Sequence, residues 1–163
     1  MKHNAIIGTV SSGTMREQDL VRSFIWEIEY LEDVRLTAEE LQIPEDALED
    51  EDNEWWDTED ASFLLNELFD RLEEHAPSYC YFGAHDGDGS DFGFWPLWDS
   101  INDEVTRVDE LPDGPFHPDE FDDGWTKDNR VTNGCLLVND HGNATLYFWD
   151  ASKQDWVEEW GIA

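Results

Sequence analysis

Basic residues are few in this chain of 163 residues, with 9 Lys and Arg against 41 Asp and Glu and a formal net charge of −32. Its lysines are Lys2, Lys127 and Lys153. A surface of that sign repels phosphate, so direct binding to nucleic acid or to an anionic membrane is disfavoured. With only those three lysines available, a nuclease core that needs a lysine beside paired carboxylates is also disfavoured. Cysteine is scarcer still. Cys80 and Cys135 sit in apolar, strand-like surroundings, which predicts reduced, buried thiols in a cytoplasmic protein rather than a disulfide framework. No charged-then-apolar export signal opens the chain, and no apolar run approaches the length that spans a membrane. A Walker loop, a dinucleotide fingerprint, a zincin helix, a Cys-x-x-Cys pair and a nucleophile elbow are also missing.

Of the residues present, 39% are hydrophobic and 13% aromatic, including nine tryptophans. Length and composition together predict one folded domain over residues 1–163 with a real core. Ala5 to Val10 reads as a short strand. Thr14 and Glu17 have capping-box spacing. After them Leu20, Val21, Phe24, Ile25, Ile28 and Leu31 recur at helical intervals, predicting an amphipathic helix over about 15–33. Thr37 and Glu40 repeat the box ahead of Pro44. Phe63, Leu64, Leu65, Leu68, Phe69 and Leu72 form the apolar face of a second helix, over about 58–75 and capped by Asp57 or Thr58.

Beyond Ser78 the period shortens to that of strands. Tyr79 to Gly83 and Phe92 to Trp95 flank a glycine-rich turn. Gly134 to Val138 and Ala144 to Trp149 flank the turn Asn139 to Asn143, and Asp155 to Trp160 reads as a closing strand. The stretch from Leu97 to Leu111 is ambiguous, and the Pro-rich stretch at about 112–127 reads as an acidic loop. The expected class is therefore α+β. An antiparallel sheet of hairpins, mainly within 78–160, carries the two helices on one face.

Acidity falls in blocks. Between Glu27 and Asp60 there are sixteen carboxylates against Arg35, and between Asp86 and Asp123 thirteen against Arg107. The densest run is Pro44 to Asp60, where ten of seventeen residues are Glu45, Asp46, Glu49, Asp50, Glu51, Asp52, Glu54, Asp57, Glu59 and Asp60. Such a run repels itself, which predicts a solvated loop or insertion at about 44–57. Trp55 and Trp56 lie within it, and leaving both in water is costly. If they pack on their own domain, the run is a solvated loop. If they are exposed, they mark the landing site of a basic partner, with the carboxylates beside them. An acidic adaptor or a domain adapted to high salt is the further alternative; salt adaptation also produces acidic, lysine-poor surfaces, but it does not call for nine tryptophans, which suit interface anchors.

Two further constellations carry possible chemistry. In His85 to Asp91, the alternating oxygens of Asp86, Asp88 and Asp91 could converge on Ca²⁺ or another divalent cation. Asp91 stands where an EF-hand loop needs glycine, and Leu97 where that loop needs a bidentate Glu. The plainer reading is a polar hairpin turn. Asp140 and His141 could supply an acid–base pair for a small hydrolase, although a tight turn needs the same residues. A metal site would require His85 and His141 to meet near Asp86, Asp88 or Asp140. The expectation is that no cofactor is needed.

In general character, this small, acidic, aromatic-rich chain resembles the DNA-mimic anti-restriction and anti-CRISPR proteins of phages and plasmids. Gly13-Thr-Met-Arg-Glu-Gln-Asp-Leu20 and Asn139-Asp-His-Gly-Asn143 also look like stretches of uncharacterised phage proteins. The resemblance implies a non-catalytic inhibitor in the host cytoplasm, with carboxylates standing where phosphates lie in the groove of a basic nucleic-acid-binding host protein. Duplex DNA carries one charge per ~1.7 Å of axis, so 32 net charges match those of roughly 16 base pairs, about 54 Å. A globule of this length has a radius of gyration of about 15 Å and imitates only part of that span. A homodimer with aligned acidic faces would cover more.

Overall fold

The computed structural model describes residues 1–121 and 129–163, so residues 122–127 of the expected acidic loop lie outside the described residues. The α+β class expected from the sequence is observed. Where the sequence predicts one domain and one sheet, the chain gathers into two compact units. Unit 1 comprises Met1–Ala76 and Cys80–Trp95, and unit 2 comprises Pro77–Tyr79 and Pro96–Ala163. Among the described residues there are two sheets, one of three strands and one of four.

Unit 1 opens with β1 (Gly8–Ser11) and α1 (Glu17–Glu32). It continues through the short α2 (Glu45–Glu49), a 3₁₀ turn (Glu54–Asp57) and α3 (Glu59–Glu73), then ends in the hairpin β2 (Cys80–His85) and β3 (Asp88–Pro96). The sheet order is β1-β3-β2. Gly8 faces Phe94, Thr9 faces Gly93 and Ser11 faces Phe92, with a bulge between Thr9 and Ser11. Gly93 is required there, because a Cβ on it would lie 2.0 Å from the Gly8 carbonyl oxygen. The strand predicted at the N-terminus thus recruits the first hairpin into its own sheet, which is why a single sheet over 78–160 does not form.

The apolar stripe of α1 buries Leu20, Val21, Phe24, Ile28 and Leu31, and α3 buries Ala61, Leu64, Leu68 and Leu72. Phe24 meets Phe69, Phe82 and Phe92 edge-on at 5.9, 5.1 and 6.1 Å between ring centres. Phe82 also tilts against Phe94 at 5.0 Å. Edge-to-face rings in this range add attraction beyond the area they bury. The ends of the two helices are tied by Glu32, whose carboxylate accepts from Arg71 Nε at 2.8 Å and from Arg71 Nη2, and lies 3.0 Å from His75 Nε2. The Arg71 hydrogen bond is the main cause that holds the Glu32 carboxyl down at about 2.

The caps differ from expectation at two of the three predicted places. Thr14 donates to Asp19 at 2.7 Å in place of capping with Glu17, and the Glu17 carboxylate accepts from Ser62 of α3 at 2.7 Å. Thr58 precedes α3 but gives its hydroxyl to the Trp55 carbonyl at 2.6 Å. The Thr37–Glu40 box forms, with Glu40 accepting from the Thr37 amide at 3.0 Å and Thr37 Oγ1 accepting from the Glu40 amide at 3.2 Å.

Unit 2 contains α4 (Trp98–Glu104), β4 (Thr106–Val108), a 3₁₀ turn (Pro118–Glu120), β5 (Gly134–Val138), β6 (Ala144–Asp150) and β7 (Asp155–Ile162). The sheet runs β4-β5-β6-β7, with β4 parallel to β5 and the other pairs antiparallel. Ile101, Val105, Cys135, Leu136, Leu146, Trp156 and Trp160 are buried. The Trp156 indole donates to the Pro112 carbonyl and that of Trp160 to the Ser78 carbonyl, each at 2.8 Å. Cys80 and Cys135 are both buried and form no disulfide, and burial pushes the Cys135 thiol up to about 11. Among the described residues, no helix is long and apolar enough to cross a membrane.

Candidate partner-binding surface

The acidic run is built as ordered helical turns, a correction to the solvated loop predicted at 44–57. Ile43, Ala47 and Trp56 are spaced so that α2 and the 3₁₀ turn each bury a residue in unit 1, at 5%, 0% and 4% exposure. The Trp56 indole donates to the carbonyls of Ala47 at 3.0 Å and Asp50 at 3.3 Å, which closes the segment on itself. Asn53 starts the 3₁₀ turn by accepting from the Trp55 amide at 2.9 Å. Two side chains of α1 hold the outside. Arg22 donates to the Leu48 carbonyl and Gln18 to the Glu51 carbonyl, each at 2.8 Å.

Trp56 therefore cannot be an exposed contact. Its ring is spent on the core and on two carbonyls. Trp55 is half-buried, packed against the same core and edge-on to Trp56 at 4.9 Å. Burial of Trp56 and half-burial of Trp55 favour the first alternative, in which the tryptophans pack on their own domain and do not mark a landing site; they anchor the segment, and the carboxylates form its outer face. Glu45, Asp46, Glu49, Asp50, Glu51, Asp52, Glu54, Asp57, Glu59 and Asp60 are all exposed. Among the described residues, Arg16 is the cation that pairs with them, 3.8 Å from Glu51 and 3.9 Å from Asp52. Contacts that long between exposed groups neutralise little of the surface. A fixed field of this kind can draw in cations and basic surfaces, and α2 and the 3₁₀ turn give it a defined shape.

The other constellations resolve into turns. His85 Nδ1 accepts from the Gly87 amide at 2.9 Å, and Asp88 accepts from the amide and hydroxyl of Ser90 at 3.0 and 2.8 Å. Those bonds from Ser90 hold the Asp88 carboxyl below its ordinary value. Asp91 points one buried oxygen where no hydrogen bond reaches it. Asn139 Oδ1 accepts from the amides of His141 at 2.9 Å and Asn143 at 3.0 Å, and Gly142 takes a φ of +82°, so Asp140 and His141 form the tip of a tight turn. Among the described residues, no three His, Cys, Asp or Glu side chains group as a metal site requires.

One surface feature escaped the sequence reading. Trp26 is 78% exposed and Tyr30, one turn later on α1, is 48% exposed. Both lie off the stripe that enters the core. The signal was the i, i+4 spacing of two large aromatic residues on a helix face otherwise given to polar groups.

Comparison with protein-family models, with curated proteins and with solved structures finds no match to this chain.

Proposed function

We propose that this chain is a non-catalytic acidic inhibitor that occupies the basic nucleic-acid-binding groove of a host defence enzyme, a restriction or CRISPR nuclease, with carboxylates in the places of DNA phosphates. The observation that supports it is the Glu45 to Asp60 segment: ten exposed carboxylates, five of them on the two short helical turns, three on the link between those turns and two at the start of α3, with a buried tryptophan pinning the segment. Holding like charges on a fixed frame costs free energy that a loose acidic tail avoids, and a preformed pattern loses less entropy when it docks. The net charge of −32 steers the chain to a basic groove with fast, salt-sensitive association and disfavours contact with nucleic acid itself. On this reading it acts in the host cytoplasm, alone or as a homodimer that lengthens the acidic face.

The test is capture from a bacterial host lysate on the immobilised chain, followed by duplex cleavage or binding assays with whatever is retained. The expected result is a nucleic-acid enzyme that the chain inhibits in competition with duplex. Inhibition should weaken as salt rises and when the ten carboxylates are changed to Gln and Asn. Recovery of no nucleic-acid enzyme, or inhibition indifferent to that neutralisation, would defeat the reading.

A further inference from the structure

On unit 1, α1 and β1 enclose an open cleft of about 660 Å³ whose walls include Val10, Trp26, Glu27, Tyr30 and Val34. We propose that this cleft is a receptor for an arginine or lysine side chain of a basic partner protein, held between the faces of Trp26 and Tyr30 and the carboxylate of Glu27. The inference rests on the partner being a basic protein, as above, and adds a short-range contact to the long-range attraction of the acidic segment.

Three observations carry it. Trp26 is the most exposed of the described tryptophans, at 78%, and its indole N–H makes no hydrogen bond among the described residues. An indole face left open beside a carboxylate is the strongest aromatic site for a cation. Tyr30 is held in place, because His3 stacks on it at 4.5 Å with 11° between the planes. The aromatic wall is thus partly set before anything binds.

The second observation is charge. Glu27 has no hydrogen-bond or ion-pair partner among the described residues, and burial alone pushes its carboxyl above the ordinary value. A half-buried carboxylate that has lost water and gained no donor is stabilised by an incoming cation. Arg35 also lines the cleft, but its guanidinium stands 3.7 Å from Glu29, a second carboxylate there. Two carboxylates against one guanidinium leave the cleft one negative charge to offer.

Position is the third. Glu29 and Arg35 border a smaller hollow of about 210 Å³ that extends to Ile43 and Leu48, where the acidic segment begins. A basic surface drawn to Glu45 to Asp60 therefore meets the cleft on the same side of unit 1.

The experiment titrates ¹⁵N-labelled full-length chain with a tetra-arginine peptide at low and high salt, following the indole signals. The Trp26 signal is assigned by its loss in Trp26→Phe. Expected is movement of the Trp26 indole that persists at high salt, with binding weakened about 2- to 30-fold in Trp26→Leu and largely retained in Trp26→Phe. Glu27→Gln should weaken binding while the fold stays intact. Shifts confined to residues 45–60, with Trp26→Leu binding as wild type, would overturn the proposal. The two readings separate cleanly. If Trp26→Leu inhibits a captured nuclease as wild type does while the neutralised segment does not, the cleft falls and DNA mimicry stands. If Trp26→Leu loses peptide binding but no captured enzyme competes with duplex, the reverse holds.

Discussion

Phenylalanine closes the core of unit 1, where Phe24, Phe69, Phe82, Phe92 and Phe94 meet largely edge to face, whereas in unit 2 buried tryptophans take that place. A phenylalanine ring fills space but fixes no polar register. Unit 1 supplies register separately, through Glu32 gripping Arg71 and His75 where α1 and α3 end. In unit 2 the same ring does both jobs, since Trp156 and Trp160 each donate an indole N–H to a backbone carbonyl. At the rim of unit 1, Trp56 and Trp95 do likewise, toward Ala47 and Gly83. A tryptophan whose N–H is satisfied by backbone is therefore a structural element here. Among the described tryptophans, Trp26 differs most from these, at 78% exposure and with no hydrogen bond from its N–H.

The largest effect is expected from Phe24→Ala. Phe24 is fully buried and touches rings from α3, β2 and β3, so the cavity opens at the centre of unit 1. The expected loss is about 3–5 kcal/mol, read by urea denaturation. A loss under about 1 kcal/mol would show that the ring cluster is not what holds unit 1.

Glu32→Gln comes next, at about 1–2 kcal/mol, reduced from a fully buried pair because Arg71 is about a third exposed. The folded carboxyl sits at about 2, below its ordinary 4.5, so its contribution is present above pH 4.5 and fades as pH falls through 4.5 toward 2. Wild type and Glu32→Gln should differ at pH 7 and converge near pH 2. A gap that stays constant across that range would mean that the carboxylate charge is not what matters. Trp160→Phe tests unit 2 more gently. It keeps most of the ring but leaves the Ser78 carbonyl without its donor, for a loss of about 1 kcal/mol. Full stability in that variant would mean that the ring alone, and not its N–H, fixes unit 2.

Both long helices, the 139–143 turn and the Thr37–Glu40 box were legible because each depends on residues close in sequence. The partition into two sheets was not, since the pairing of Gly8 with Phe94 joins distant strands and depends on the missing Cβ of Gly93. The acidic segment misled for a different reason. Ten carboxylates dominate its composition and hide the sparse spacing of Ile43, Ala47 and Trp56 that folds it. The carboxylates proposed as partner contacts could be named from sequence, yet which tryptophan stands free to join them could not, because composition treats all tryptophans alike.

The smallest expected effect sharpens the contrast most. Trp26→Leu replaces a ring that is 78% exposed and bonded to nothing, on a helix interior where leucine is a good helix former. Its folding free energy should stay within about 0.5 kcal/mol of wild type by urea denaturation. Trp56→Leu, by contrast, removes a buried ring and two carbonyl contacts and should cost several times more. Equal losses in the two variants would mean that the Trp26 ring serves the fold as Trp56 does. A neutral Trp26→Leu leaves the ring without a structural role, which is what the proposed contact with a partner's cation requires.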